Sequence, residues 1–379
     1  MAELGLLASD RSLRAGAFPS GAACALADSG DVGGSPIQWR DRAGIQPASL
    51  LLGLANAFPA LRRVVLPSAR TRCGALRRRR GAQRATNKGT RFVHYYEPNF
   101  LNEALVLLDR YGSRARVLAG GTLLGPQLRS DDAAVDALVN VKRIAELRRV
   151  TIAGDALHIG ALLTASELAQ DSLVRKHAPL IAEAARSMGA PQLRNVATLG
   201  GNVLSRDPAA DLATALLALD AGCIVTSLSD DECEIPLADM LAPQAPALAP
   251  GALLSAVRIP AHSGRWAYHK MTRRRAFEMA VVAAAVCCEL TGEVVVRARI
   301  ALAGAAAAPI RAKSAEAALT NIRLTRAAAA GAAAKAAALD AGRLNDKRAS
   351  AAYRRQLVSV LTRRALLDVA GEQPTRVTR

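Results

Sequence analysis

Two glycine pairs are the residues of this chain best suited to holding a ligand. Leu118-Ala119-Gly120-Gly121-Thr122 continues the run Arg116-Val117-Leu118, and Gly200-Gly201-Asn202 continues Val196-Ala197-Thr198-Leu199. Each run reads as a strand entering a Gly-Gly turn closed by a small polar residue. Such a turn lets consecutive amides converge on a phosphate oxygen with no Cβ in the way. Two of them in one domain point to a diphosphate. One alone is commonly just a tight connection, so the flanking sequence has to decide.

The elements that must position these turns read as mixed α/β. Leu101–Asp109 has the apolar spacing of an amphipathic helix, and Leu138–Val141 and Leu157–Gly160 read as strands. Thr164-Ala165-Ser166-Glu167 has the form of a helix capping box. A helix from Pro179 to Met188 leads to the second glycine pair, and Leu212–Leu219 reads as a buried helix ending at Ala221-Gly222. Strands follow at Cys223–Thr226 and Leu253–Ile259, with a Pro-rich loop at 242–250 between them. Ala261-His262-Ser263-Gly264 marks a domain boundary. Beyond it, Met279–Leu290 and Val294–Ala303 read as a hairpin turning at Thr291-Gly292-Glu293, and Ala327–Leu339 as an alanine helix.

Composition narrows the function classes. With 379 residues, 51% of them hydrophobic, the chain has room for two folded units and an extension. A net charge of +18 raises the question of nucleic acid. However, Arg70, Arg72, Arg77 to Arg80, Arg84 and Lys88 place about half of the excess in residues 1–90, outside the patterned sequence. That segment is Gly-, Ala-, Ser- and Arg-rich and reads as a basic extension of low order. Its apolar patch, Leu50–Ala55, is too short to span a bilayer and too far into the chain for an ordinary signal peptide. The six cysteines, Cys24, Cys73, Cys223, Cys233, Cys287 and Cys288, form no C-x-x-C pair, so no metal is expected and a reducing, cytoplasmic setting is. Cys287-Cys288 lies in an apolar run and reads as buried small hydrophobes. The five histidines share no ligand or triad spacing, and no residue is put forward as catalytic.

Taken in order, Arg116 to Arg129, Gln192 to Asn202 and Asp207-Pro208-Ala209-Ala210-Asp211-Leu212 resemble the FAD-binding subunit of the molybdenum hydroxylases, the group of xanthine, aldehyde and carbon monoxide dehydrogenases. The resemblance runs from about Val93 to about Ala370. It takes in Trp266 to Ala280, Pro309 to Leu319 and the helix-like stretch from Tyr353 to Leu366. Two places depart from the family's pattern: Leu123 stands where an acidic or polar residue is usual, and Arg206-Asp207 where an Ala-Ser pair is common. The family's chains begin near the equivalent of Phe92-Val93-His94-Tyr95, which fits residues 1–90 being upstream sequence from a start site assigned too early.

The resemblance implies an FAD-binding domain over 91–263, a C-terminal domain over 264–370 and a tail over 371–379. The FAD domain is expected to have two subdomains, one small and parallel, one mostly antiparallel, like that of the vanillyl-alcohol-oxidase group and unlike a Rossmann fold. No G-x-G-x-x-G follows the first strand. The C-terminal domain is expected to hold a three-stranded sheet with helices. By carry-over, Leu118, Ala119, Gly120, Gly121, Thr122, Leu123 and Leu124, with Thr198, Leu199, Gly200, Gly201 and Asn202, wrap the diphosphate and ribityl chain. Asp211 accepts a hydrogen bond from the cofactor, Lys270 approaches the flavin, and Leu253 or Leu254 packs near the ring. Arg273 to Arg275 are open to two readings, a partner-facing surface or a hydrated one.

The implied assembly is a dimer of heterotrimers with a large molybdopterin subunit and a small 2Fe-2S subunit. The flavin passes electrons to NAD, oxygen or another acceptor. Two rival readings rest on the same residues. A self-contained flavin oxidase or reductase needs a substrate domain, which the short, alanine-rich C-terminal segment does not resemble. A basic nucleic-acid-binding protein needs aromatic stacking platforms or a recognised motif, and the chain has neither.

Overall fold

The computed structural model describes residues 93–129, 135–229, 232–274 and 278–371, and the backbone of 64–66. The N-terminal cysteines Cys24 and Cys73, the Leu50–Ala55 patch, the Arg77 to Arg80 run, Arg275 and residues 372–379 lie outside them. No helix among the described residues is long and apolar enough to cross a membrane.

The first unit consists of β1 (Val64–Leu66), β2 (Val93–Tyr96), α1 (Leu101–Tyr111), β3 (Ala115–Leu118), α2 (Leu124–Arg129) and β4 (Ala137–Asn140). The sheet order is β1-β2-β4-β3; β4 pairs in parallel with β2 and β3, and β1 runs antiparallel to β2. Three residues of the basic extension thus form an edge strand. Helix α1 buries Ala104, Leu105, Leu107 and Leu108, the face its spacing predicted, against Val139, Ile144 and Leu253.

The second unit opens with the hairpin β5 (Val150–Ala153) and β6 (Ala156–Gly160). Helices α3 (Ala165–Gln170), α4 (Ser172–His177), α5 (Pro179–Ser187), α6 (Pro191–Arg194), α7 (Leu199–Leu204) and α8 (Asp211–Leu217) follow. Then come β7 (Gly222–Thr226), β8 (Cys233–Pro236), α9 (Leu237–Met240) and β9 (Leu253–Ile259). The five strands form an antiparallel sheet in the order β5-β6-β9-β7-β8. The predicted capping box is present: Thr164 Oγ1 accepts from the Glu167 amide, and Glu167 accepts from the Thr164 amide at 2.8 Å. Every residue of α8 is buried.

The third unit is an antiparallel sheet of β10 (Arg265–Met271), β11 (Val282–Thr291), β12 (Val294–Ala303) and β13 (Ile310–Arg311), covered by α10 (Lys313–Ala317), α11 (Arg326–Lys335) and α12 (Ala351–Ala370). The expected three strands are joined by a fourth, two-residue strand, because Ile310 and Arg311 pair with the end of β12 before α10 begins. Alanine does the packing here. Ala329, Ala332 and Ala336 meet Ala312, Ala315, Val358 and Leu361, and such short side chains let the helices approach closely. Cys287 and Cys288 are fully buried in β11, as their apolar context predicted.

Helix α8 joins the second and third units at both ends. At its start Asp211 meets Lys270 and Tyr268 from β10. Beyond its end Asp220 receives three arginines of the third unit: Arg297 at 2.7 Å, Arg299 at 3.6 Å, and Arg311. Just before α8 the Pro208 carbonyl accepts from the Gly304 amide at 2.6 Å.

Candidate functional site

The fold brings the two glycine segments into contact. Strand β3 delivers Ala119, Gly120 and Gly121 to the edge of the first unit, and Gly120 lies against the backbone of Val196 and Ala197. A Cβ on Gly120 would stand 2.2 Å from the Val196 carbonyl oxygen, so only glycine fits there. Gly121 has φ +71°, in the left-handed region, and turns the chain into α2. Among the described residues, the amides of Gly120, Gly121 and Thr122 have no hydrogen-bond partner. Thr122 and Leu123 are exposed, and Leu124 starts α2. This loop therefore offers unpaired donors on an open surface.

The second segment differs from its expected form. Val196–Leu199 is not a strand; apart from an isolated bridge between Thr164 and Thr198, the run leads straight into α7. The reason is local and tertiary together. Thr198 caps the helix by accepting from the Gly201 amide at 3.2 Å. Gly200 comes so close to Ala161 that a Cβ would lie 2.9 Å from the Ala161 Cβ. The amides of Leu199 and Gly200 donate to the Leu163 and Ala161 carbonyls at 2.8 and 2.9 Å, anchoring the segment instead of remaining free. Thr198 is buried, whereas Gly201 is exposed and Asn202 half-buried. Asn202 Oδ1 accepts from the Ala213 amide at 3.1 Å and so fixes α7 to α8.

Asp211 and Lys270, 59 positions apart, form a buried ion pair of 2.8 Å whose side chains are 4% and 7% exposed. Lys270 Nζ also donates to the Ser187 carbonyl at 3.1 Å, and the Tyr268 hydroxyl donates to the other Asp211 oxygen at 2.6 Å. Burial raises the Asp211 carboxyl above its ordinary range, against the opposing pull of Lys270 and Tyr268. Burial, and then the Asp211 charge, push the Tyr268 phenol well up. Tyr268 was missed in the sequence. The available signal was its spacing from Lys270, since i and i+2 on a strand face the same way.

Other expected positions are taken up by packing. Leu253 is 6% exposed in the core of the first unit, and Leu254 is buried in that of the second. Arg273 and Arg274 are exposed and both pair with Glu278. Arg206, one of the departures from the family's pattern, has φ +50° and donates to the Ala242 and Ala245 carbonyls, tying the loop before α8 to the Pro-rich loop. No group of three or more metal-ligating side chains occurs among the described residues.

The chain is similar to known proteins of one family. The family model "FAD binding domain in molybdopterin dehydrogenase" matches residues 89–262, and "CO dehydrogenase flavoprotein C-terminal domain" matches 266–369. The glyceraldehyde dehydrogenase medium chain of Sulfolobus acidocaldarius is 30% identical over 279 residues, which cover 73% of this chain and 98% of that one. The xanthine dehydrogenase FAD-binding subunit of Escherichia coli is 31% identical over 286 residues, covering 74% and 97%. Among solved structures, a carbon monoxide dehydrogenase from Hydrogenophaga pseudoflava superposes with a TM-score of 0.69 at 31% identity, covering 73% of this chain and 96% of that one. Two family models lie end to end along one chain, and the relatives are matched over nearly their whole length: the chain belongs to the FAD-binding subunits of the molybdenum hydroxylases, and its cofactor is FAD.

Proposed function

We propose that this chain is the electron-transfer subunit of a molybdopterin-dependent hydroxylase, receiving electrons from 2Fe-2S clusters of a small partner and passing them to NAD, oxygen or another acceptor. The substrate is oxidised on a large molybdopterin subunit, so the chain needs neither a catalytic residue nor a metal of its own. The assembly is a dimer of such heterotrimers, working in the cytoplasm. The observation that carries this reading is the contact between the glycine segments. Gly120 packs on the Val196 carbonyl and leaves the amides of 120–122 unpaired beside it, a side-chain-free surface complementary to a diphosphate.

Bound FAD supplies the exchange between two-electron and one-electron partners. The residues have narrower tasks. Leu118 to Leu124 and Thr198 to Asn202 wrap the diphosphate and ribityl chain, with the first loop giving free amides and the second a rigid wall. Asp211 and Lys270 present a buried polar pair at the face shared with the third unit. Leu253 or Leu254 packs near the ring from the domain spanning 91–263, which the 264–370 domain follows.

The test is to produce the full chain with partner subunits encoded beside it, purify the complex, and measure released flavin, iron and molybdenum. FAD together with both metals is the expected result. Flavin-free protein would remove the cofactor assignment, and FAD without metals would favour a self-contained flavoenzyme.

A further inference from the structure

A cavity of about 300 Å³ opens between the β5–β6 hairpin, the corner joining α4 to α5, and the link from β9 to β10. Helix α5 separates it from the flavin region. Ser187, at the C-terminal end of α5, holds Lys270, whereas Pro179, at its N-terminal end, lines the cavity. They are the first and last of the nine residues of α5, about 12 Å apart. The volume lies at the small end of ligand pockets, which run from about 300 to 1,000 Å³. It suits a single substituted ring and excludes a second dinucleotide.

The lining combines an apolar wall with a charged rim. Ile259 is buried, Trp266 is half-buried, and Ile152 is 49% exposed, a large aliphatic surface left open on the cavity side. Lys176 and His177 stand exposed at the rim, and among the described residues Lys176 has no ion-pair partner. His262 adds a buried imidazole to the lining, with the His177 backbone against its ring. Burial, reinforced by the Arg299 charge, holds the His262 imidazole below its ordinary value, so the fixed positive charge of the rim is that of Lys176. Asp155, in the hairpin turn, is the one acid in the lining.

We propose that this cavity is a second small-molecule site, distinct from the flavin site, that takes a planar aromatic carboxylate: its ring lies against Trp266, Ile152 and Ile259, and its carboxylate meets Lys176 and His177. An aromatic wall beside a cation selects a ring bearing an anionic group, and the indole contributes stacking that an aliphatic acid cannot exploit. The site does not depend on the electron-transfer reading, because flavin content is measured separately.

The chain has two tryptophans, and Trp39→Phe leaves Trp266 as the sole indole emitter. Benzoate titrated into that full-length variant is expected to change the emission saturably, with neutral benzamide about fivefold weaker, as one solvent-exposed charge contact allows. Lys176→Met removes the preference for benzoate, and Asp155→Asn strengthens benzoate binding about twofold by removing a repulsion. Bound FAD stays unchanged in all three. Isothermal titration of the unaltered chain must give the same benzoate constant. The proposal fails if neither method shows saturable binding, if benzoate and benzamide bind equally, or if the preference survives Lys176→Met. It also fails if partner subunits change Trp266 emission in a way benzoate does not compete with, which would make the cavity a protein contact.

Discussion

Replacing Lys270 by methionine isolates the buried pair at the junction of α8 and β10. The pair is 2.8 Å long with side chains 7% and 4% exposed, so solvent cannot substitute for the lost cation. Removing one member of such a pair costs about 3–5 kcal/mol. Here the loss should lie near the lower end, about 3 kcal/mol, because Asp211 has an alternative to remaining an unpaired anion. Burial already holds its carboxyl above the ordinary range, and without Lys270 it rises further and takes up a proton while keeping the Tyr268 hydroxyl. This predicts a sign in pH. A carboxyl whose folded value is raised contributes stability in full below its unfolded value and loses it as pH rises through the folded value. The folded value is higher in Lys270→Met than in the parent. The deficit of the variant should therefore be small at acid pH, grow as pH passes the parent's raised value, and level off above the variant's own. Denaturant unfolding of the full chain from acid to neutral pH measures it. A deficit independent of pH, or one under about 1 kcal/mol at neutral pH, would refute the argument, because it would mean that the pair is hydrated or absent.

Three further outcomes can be checked directly. Gly120→Ala sets a Cβ 2.2 Å from the Val196 carbonyl oxygen, and overpacking of this kind costs about 1–3 kcal/mol; flavin absorbance after gel filtration should show at least a tenfold weaker hold on FAD, roughly 1.4 kcal/mol. Thr198→Ala removes the cap on α7, and a loss of about 1 kcal/mol should appear as a lower melting temperature, partly restored by Thr198→Ser. Burial pushes the thiols of Cys223 and Cys288 up to about 12. Alkylation of native protein at neutral pH, mapped by mass spectrometry, should therefore spare both and, among the described cysteines, label half-buried Cys233 first; early labelling of Cys288 would contradict the packing of β11.

What was legible in the sequence followed the range of the interactions. The capping box at Thr164 and the amphipathic face of α1 are short-range patterns, and both formed as read. The first glycine turn was also readable, because β3 and the left-handed Gly121 follow one another in the chain. The second glycine pair was misplaced because Val196-Ala197-Thr198-Leu199 has the composition of a strand. What turns it into a cap and a helix is a close approach to Ala161, 39 positions upstream, which no local pattern records. Strand β10 was not assigned because Lys270 faces inward and interrupts the alternation that Trp266 and Tyr268 begin. Its partner Asp211 lies in another domain, so the pair is visible only after folding. Family resemblance named Asp211 and Lys270 as separate candidates; it did not disclose that they bond to each other.

The charged contacts at both ends of α8 bear on how the chain divides. The two family models meet at 262 and 266, a seam that looks like a cutting point. Made alone, however, the first part would keep Asp211 without Lys270 and Asp220 without Arg297, Arg299 and Arg311, and would wet the Ala209 face that packs on Ala280, Ala283 and Ala303. A protease nick at exposed Ala261 or Ser263 should accordingly sever the chain without separating it, leaving two fragments that co-elute and melt together.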